Sequence, residues 1–189
     1  MGSLILQSLS KDFQDPYLKK NLLETLSGTE RISLRSIDWF ITNYSKKNNI
    51  YYLIHQDAAG DPTRDETQAT STKSFNVHQS YKSQLKAYSK KSFDPFCRRD
   101  RVAFTLDTGE SVDTTIGQLN FFRWAFQNLV VEYILENKQD IEDDMNLCLR
   151  QIKEKSKGVK GRRKKREELS LSATRGLSRT NVGIELSFE

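Results

Sequence analysis

The residue best suited to covalent chemistry in this sequence is Cys97, which Arg98 and Arg99 follow directly. Adjacent cations stabilise the thiolate, which is the nucleophilic form. A thiol enzyme of the Cys-His kind also needs a base, and the chain holds only His55 and His78. Their positions in the sequence bring neither of them to Cys97. A structural cysteine is the preferred reading, because a free Cys usually behaves as a small buried hydrophobe. Asp140, Glu142, Asp143 and Asp144 are close enough in sequence to suggest a cation site. Their spacing is not that of an EF-hand loop, and no glycine stands at the turn position. Acids at a helix start, facing the positive end of its dipole, account for them. A nuclease would have to draw on scattered carboxylates such as Asp38 or Asp94. Gly-rich phosphate loops, Gly-x-Ser-x-Gly and His-Glu-x-x-His do not occur. The chain is therefore read as non-enzymatic, with no catalytic residue, no metal ligand and no cofactor.

The strongest positive signal is a segregation of charge. Residues 1–149 carry 18 Lys+Arg against 20 Asp+Glu, whereas residues 150–189 carry 12 against 5. The net charge of +5 is thus a property of the C-terminal end. Its centre is the run 153–166, with Lys153, Lys155, Lys157, Lys160, Arg162, Arg163, Lys164, Lys165 and Arg166. So dense a run repels itself and offers no apolar surface to bury, so it reads as an extended basic arm. It suits phosphate contact, in which each neutralised phosphate releases counterions and makes affinity salt-dependent. It suits acidic protein surfaces equally well, and it also has the composition of a nuclear-import signal. No aromatic residue that would stack on bases interrupts it. A second basic surface is expected from Lys82, Lys86 and Lys90, with Lys91, beside Arg98, Arg99 and Arg101; a solvated helix face is its bland alternative.

These groups need a scaffold, and the chain is long enough for one domain with an extension. Two cysteines, Cys97 and Cys148, make no disulfide framework and suit a reducing compartment. The N-terminal residues resemble neither a signal peptide nor a good myristoylation site. No apolar stretch is long enough to span a membrane.

The periodicity points to a small mixed α+β body, residues 1–149, followed by the arm, residues 150–189. Residues 4–9 read as a short strand or a docking arm. A helix starts at Asp15-Pro16 and ends at Ser27-Gly28. Ser33 caps a second helix, whose Ile37, Phe40, Ile41 and Tyr44 share one face; a hairpin of residues 34–43 with 50–55 is the alternative. Residues 50–54 form a strand, and residues 57–74 a polar loop or internal linker. Tyr81, Leu85 and Tyr88 mark a third helix within residues 75–91, which stops before Phe93-Asp94-Pro95. Residues 102–106 and 111–113 form a hairpin around a turn at residues 107–110. Thr115 and Gln118 make a capping box that opens a central amphipathic helix over residues 115–136, packed on the short strands. Asp140 caps a last helix through Ile152. Residues 182–188 place Val182, Ile184, Leu186 and Phe188 in alternation, as in a strand with one buried face. Such a strand needs a sheet edge, its own or a neighbour's.

Three blocks carry a resemblance: residues 36–54, 75–101 and 114–128, above all Phe93-Asp94-Pro95-Phe96-Cys97-Arg98-Arg99 and Gln118-Leu119-Asn120-Phe121-Phe122-Arg123-Trp124-Ala125. They resemble a poorly characterised protein group of nucleocytoplasmic large DNA viruses, such as phycodnaviruses and mimiviruses. The resemblance implies no active site. It implies a viral setting, in the virion and host cytoplasm, or alternatively the host nucleus. It also implies a minor capsid or core protein with other viral structural proteins as partners. Nucleic acid is a further possible partner of the arm, as in an accessory role in DNA packaging or late transcription.

Overall fold

A computed structural model describes residues 2–26, 32–98, 100–105 and 111–157. Along them run α1 (Gly2–Asp12), α2 (Pro16–Leu26), α3 (Leu34–Trp39), a π-helical turn (Phe40–Tyr44), α4 (Ser45–Lys47), β1 (Tyr51–Gln56), β2 (Pro62–Thr63), a 3-10 turn (Glu66–Gln68), β3 (Ser71–Asn76), α5 (Val77–Tyr88), β4 (Arg101–Thr105), β5 (Ser111–Thr115), α6 (Ile116–Gln127), α7 (Val130–Glu136) and α8 (Lys138–Lys157). Helices surround two small antiparallel sheets, an α+β architecture as the sequence led us to expect. One sheet has the order β2-β1-β3, and the other is the β4-β5 hairpin. In the first, Tyr51 pairs with Asn76 and Gln56 with Ser71. In the second, Arg101 pairs with Thr115 and Phe104 with Val112.

Side-chain caps start α3, α5 and α6. Ser33 accepts from the Ser36 N–H, Asn76 from the Gln79 N–H, and Thr115 from the Gln118 N–H. Each satisfies a donor that the first helical turn leaves orphaned. The run 34–47 is helical, not a hairpin. Its π-helical turn is braced where Thr42 Oγ1 donates to the Asp38 carbonyl and Ser45 Oγ to the Ile41 carbonyl, at 2.7 and 2.8 Å.

Helix α6 is the hub. Leu119, Phe121, Phe122, Trp124, Ala125 and Phe126 are all buried, so most of the helix surface is covered, with Arg123 half-buried and Gln127 exposed. Helices α1 and α2 pack on it, and β5 leads into it. An aromatic lattice runs outward from it through Phe93, Phe75 and Tyr81.

Several elements differ from the sequence expectation. Residues 4–9 are not a strand or arm but the middle of α1, whose Leu9 is buried in the core together with Phe13 just past the helix end. Residues 57–74 are not a loop throughout, since β2, the 3-10 turn and most of β3 lie within them. They leave β1 and return to pair with it, and Arg64 holds them down by lying 5.2 Å from the Tyr52 ring and 5.4 Å from the Tyr133 ring. The expected helix over residues 115–136 is two helices. Leu129 adopts a left-handed conformation (φ 52°) that ends α6 and starts α7. The strain is of order 1–2 kcal/mol, and burial of the Leu129 side chain is worth a comparable amount. The last helix, expected to be capped by Asp140 and to run through Ile152, starts earlier, at Lys138, and extends to Lys157, so that it includes Lys153, Lys155 and Lys157. Lys160, Arg162, Arg163, Lys164, Lys165, Arg166, the turn at residues 107–110 and the segment 182–188 lie outside the described residues.

Candidate functional site

The two blocks richest in distinctive residues meet face to face. Gln118 Nε2 donates to the Pro95 carbonyl at 2.9 Å, Asn120 Nδ2 to the Ser92 carbonyl at 2.8 Å, and the Asp94 N–H to the Gly117 carbonyl at 3.1 Å. Gly117 permits the approach, because a Cβ there would lie 3.0 Å from the Lys91 carbonyl oxygen and 3.4 Å from the Phe93 nitrogen. Phe93 then packs at a tilt on Phe121, with ring centroids 5.3 Å apart, and meets Trp124 edge-on at 5.6 Å. Gln118 does not reach back to complete a capping box; its Oε1 accepts from Thr114 Oγ1 at 2.8 Å. Arg123 bridges Asp12 of α1 and Asn120, at 2.6 and 2.7 Å. The arrangement immobilises a non-helical segment against a buried helix. It is an architectural clamp with buried amides fully engaged. Sequence reasoning missed it, although Gln118 and Asn120 inside so apolar a helix were the available signal.

The second basic surface is only partly assembled. Lys82 and Lys86 are exposed on α5, and Lys90 lies beyond the end of that helix. Arg98 is turned back, holding Asp94 through Nε at 3.0 Å and Nη2 at 2.8 Å, with its guanidinium 4.6 Å from the Phe96 ring. Arg101 pairs with Asp113 across the hairpin at 2.6 Å. Arg99 lies outside the described residues. The structure thus keeps two lysines on one face and commits two of the arginines to neighbouring carboxylates.

The groups considered for covalent or metal chemistry are dispersed. Cys97 and Cys148 are both free and half-buried. His55 Nδ1 contacts Thr72 Oγ1 at 2.7 Å inside the first sheet. His78 on α5 engages the Ile41 carbonyl, and burial lowers its pKa. Among the acids at the start of α8, Glu142 pairs with Lys138 and Asp143 accepts from Gln139. Asp144 takes the Trp39 indole N–H at 3.0 Å and also Lys47. Among the described residues no group of three or more His, Cys, Asp or Glu side chains is placed to hold a metal ion.

Asp38 and Asp94 do lie near each other. Burial first, and then the charge of Asp94, raise the Asp38 pKa, while Arg98 and Lys90 act in the opposite sense. A cleft of about 240 Å³ opens elsewhere, between α2 and the first sheet, lined among others by Asp15, Tyr17, Asp61, Lys73 and Asn128. Lys73 Nζ donates to Asn128 Oδ1 at 3.3 Å across it. Burial raises the Asp61 pKa, helped by Asp15 and Asp57.

The basic C-terminal run starts on α8. Ile141 is fully buried and Met145 and Cys148 pack against the core. Asp144 ties the same stretch to α3 and α4. Past Leu149 the side chains of residues 150–154 are exposed, including Lys153 and the half-exposed Ile152. No helix among the described residues is long and apolar enough to cross a membrane.

Comparison with known proteins places this geometry in context. No solved structure matches the chain. A protein of Acanthamoeba polyphaga mimivirus, described only as uncharacterized, is 41% identical over 139 residues, covering 71% of this chain and 49% of its own length. The chain thus spans about half the length of the curated relative it matches. A family model described as a family of unknown function (DUF7197) matches residues 4–186, nearly the whole chain. The clamped core and the long C-terminal helix are therefore the fold of a member of DUF7197, the family to which this chain belongs.

Proposed function

We propose that this protein is a non-catalytic binding component of a large DNA virus. It is a minor capsid or core protein whose body serves as a mount for a basic C-terminal extension, and that extension contacts acidic partners. The observation that carries this reading is the course of α8. Its first half is fastened by Ile141 and by Asp144, and its residues 150–154 are exposed just where the Lys- and Arg-rich run begins. A helix fastened in its first half and exposed over residues 150–154 suits a mount for the cationic run that follows it in sequence. The viral relative supports the setting. The polar groups of the clamped core are used in holding it together, which supports a mount in preference to a reaction centre.

Particle composition tests the structural role: absence of the protein from purified virions overturns it. A binding titration against salt identifies the partner. Replacing Lys160, Arg162, Arg163, Lys164, Lys165 and Arg166 together by Gln should make the salt slope for duplex DNA shallower by up to about 5, given roughly 0.9 per neutralised phosphate. A slope unchanged by the substitution removes the nucleic-acid reading. Loss of binding to an acidic virion protein in the same variant selects the capsid reading.

A further inference from the structure

The β2-β1-β3 sheet has one open side. Strand β3 pairs with β1 only, and no other strand among the described residues flanks it. The Val77 N–H donates to the Ile50 carbonyl at 3.2 Å, which sets the phase of the ladder. In an antiparallel pair, bonded and non-bonded positions alternate. Phe75, Lys73 and Ser71 therefore bond toward β1, and the N–H and C=O groups of Thr72 and Ser74 point outward. Cross-strand partners share a face, so Tyr51, Leu53, Ser74 and Thr72 lie together on the side away from the core. Tyr51 is 69% exposed and Leu53 54%, beside the small side chains of an edge strand. An unpaired edge next to exposed apolar groups is a template for a further strand.

The chain itself holds a segment that fits. Residues 182–188 alternate Val182, Ile184, Leu186 and Phe188 with smaller or polar residues, over a length close to that of β3. The family match runs to residue 186, so this end belongs to the family's shared length. Strands in a sheet lie about 4.8 Å apart. An added strand would therefore stand its apolar row beside Thr72 and Ser74, two spacings from β1, where long side chains lean over those small residues toward Leu53 and Tyr51. Residues 158–181 form the connection from the end of α8. A coil of that length has an r.m.s. span of roughly 25–30 Å, against a radius of gyration near 15 Å for a body of about 150 residues. The tether reaches, and a tether this short keeps its end at an effective concentration of order millimolar.

We infer that residues 182–188 of this chain dock in cis on the open edge of β3 as a fourth strand, covering Tyr51 and Leu53. The competing edges fit less well. Strand β2 has two residues, and β4 carries the Arg101–Asp113 ion pair with no exposed large apolar side chain. The docking stands whether or not the basic run binds an anion. It would fold that run into a closed loop, which a partner strand competing for the edge would release.

Residue-resolved amide exchange tests this on the full chain, on a chain ending at residue 181, and on full-length Ile184→Pro. The Thr72 and Ser74 amides should exchange at least tenfold more slowly in the full chain than in either alteration, with amides of α6 unchanged in all three. Equal rates at Thr72 and Ser74 overturn the docking. Protection that appears on β4 or β5 instead overturns the choice of edge. Protection seen only at concentrations where sedimentation shows a dimer overturns docking in cis and assigns the strand to a second copy.

Discussion

Replacing Gln118 by Leu should cost the fold about 4 kcal/mol, because it removes hydrogen bonds without removing volume. Gln118 is 3% exposed, and both ends of its amide are used, Oε1 by Thr114 Oγ1 and Nε2 by the Pro95 carbonyl. Thr114 is itself fully buried, so its hydroxyl has no water to turn to. A buried polar group left without a partner costs about 1–3 kcal/mol, and two are orphaned here. Leu has a similar volume, so little cavity adds to this. Against a total stability of roughly 5–15 kcal/mol the loss is large. At about 2–4 °C per kcal/mol for a chain of this size, it corresponds to roughly 10 °C in Tm. Urea unfolding followed by the fluorescence of Trp39 and Trp124, both buried, measures it. Adding Thr114→Val to Gln118→Leu removes one of the orphans and should restore at least ~1 kcal/mol. A single variant within about 0.5 kcal/mol of the parent, or a double variant no more stable than the single, refutes the claim that this amide clamps residues 92–95 to α6.

Gly117→Ala should destabilise by about 1–3 kcal/mol in a thermal melt, because its Cβ would press on the Lys91 and Phe93 backbone. Helix propensity alone predicts a gain of up to ~1 kcal/mol, so a more stable variant refutes the close approach. Asp38→Asn should raise stability at pH 7. The Asp38 pKa is raised by burial and by Asp94, so the native state binds its proton more tightly than the unfolded chain does. Its contribution is intact below the unfolded-state value and is lost as pH rises through the folded one. Unfolding curves of parent and variant should therefore converge near pH 3 and separate toward pH 7, and a constant offset would refute this. Asp144→Ala leaves the Trp39 indole N–H without its acceptor and should cost about 1–3 kcal/mol. It should also speed amide exchange in the first turns of α8, and unchanged exchange there would show that burial of Ile141 alone anchors the helix.

The parts legible from sequence are those in which neighbours in the chain decide the outcome. Ser33 and Thr115 cap the helices they precede because the bond runs to a residue three positions on. The strand at residues 50–54 and the pairing of residues 102–105 with 111–113 follow from runs of β-favouring residues and, for the second, from the turn signal Asp107-Thr108-Gly109-Glu110 between them. The mixed α+β class follows from the sum of these elements. The charge segregation is a property of composition, and no fold is needed to see it.

What the sequence left hidden depends on contacts between distant residues. Ser71, Thr72, Lys73 and Ser74 look like loop, and they become strand because β1 offers its edge. Leu129 continues the apolar pattern of a helix, and only the need to bury it while redirecting the chain turns its backbone left-handed. Arg98 and Arg101 read as members of a basic surface, and only the structure shows that Asp94 and Asp113 pair with them while both stay exposed. Residues 92–95 and 117–120 could not be matched in advance, since their bonds join segments more than twenty residues apart. Local propensities and composition are written along the chain, whereas partner choice among buried polar groups is settled only when the core closes and excludes water.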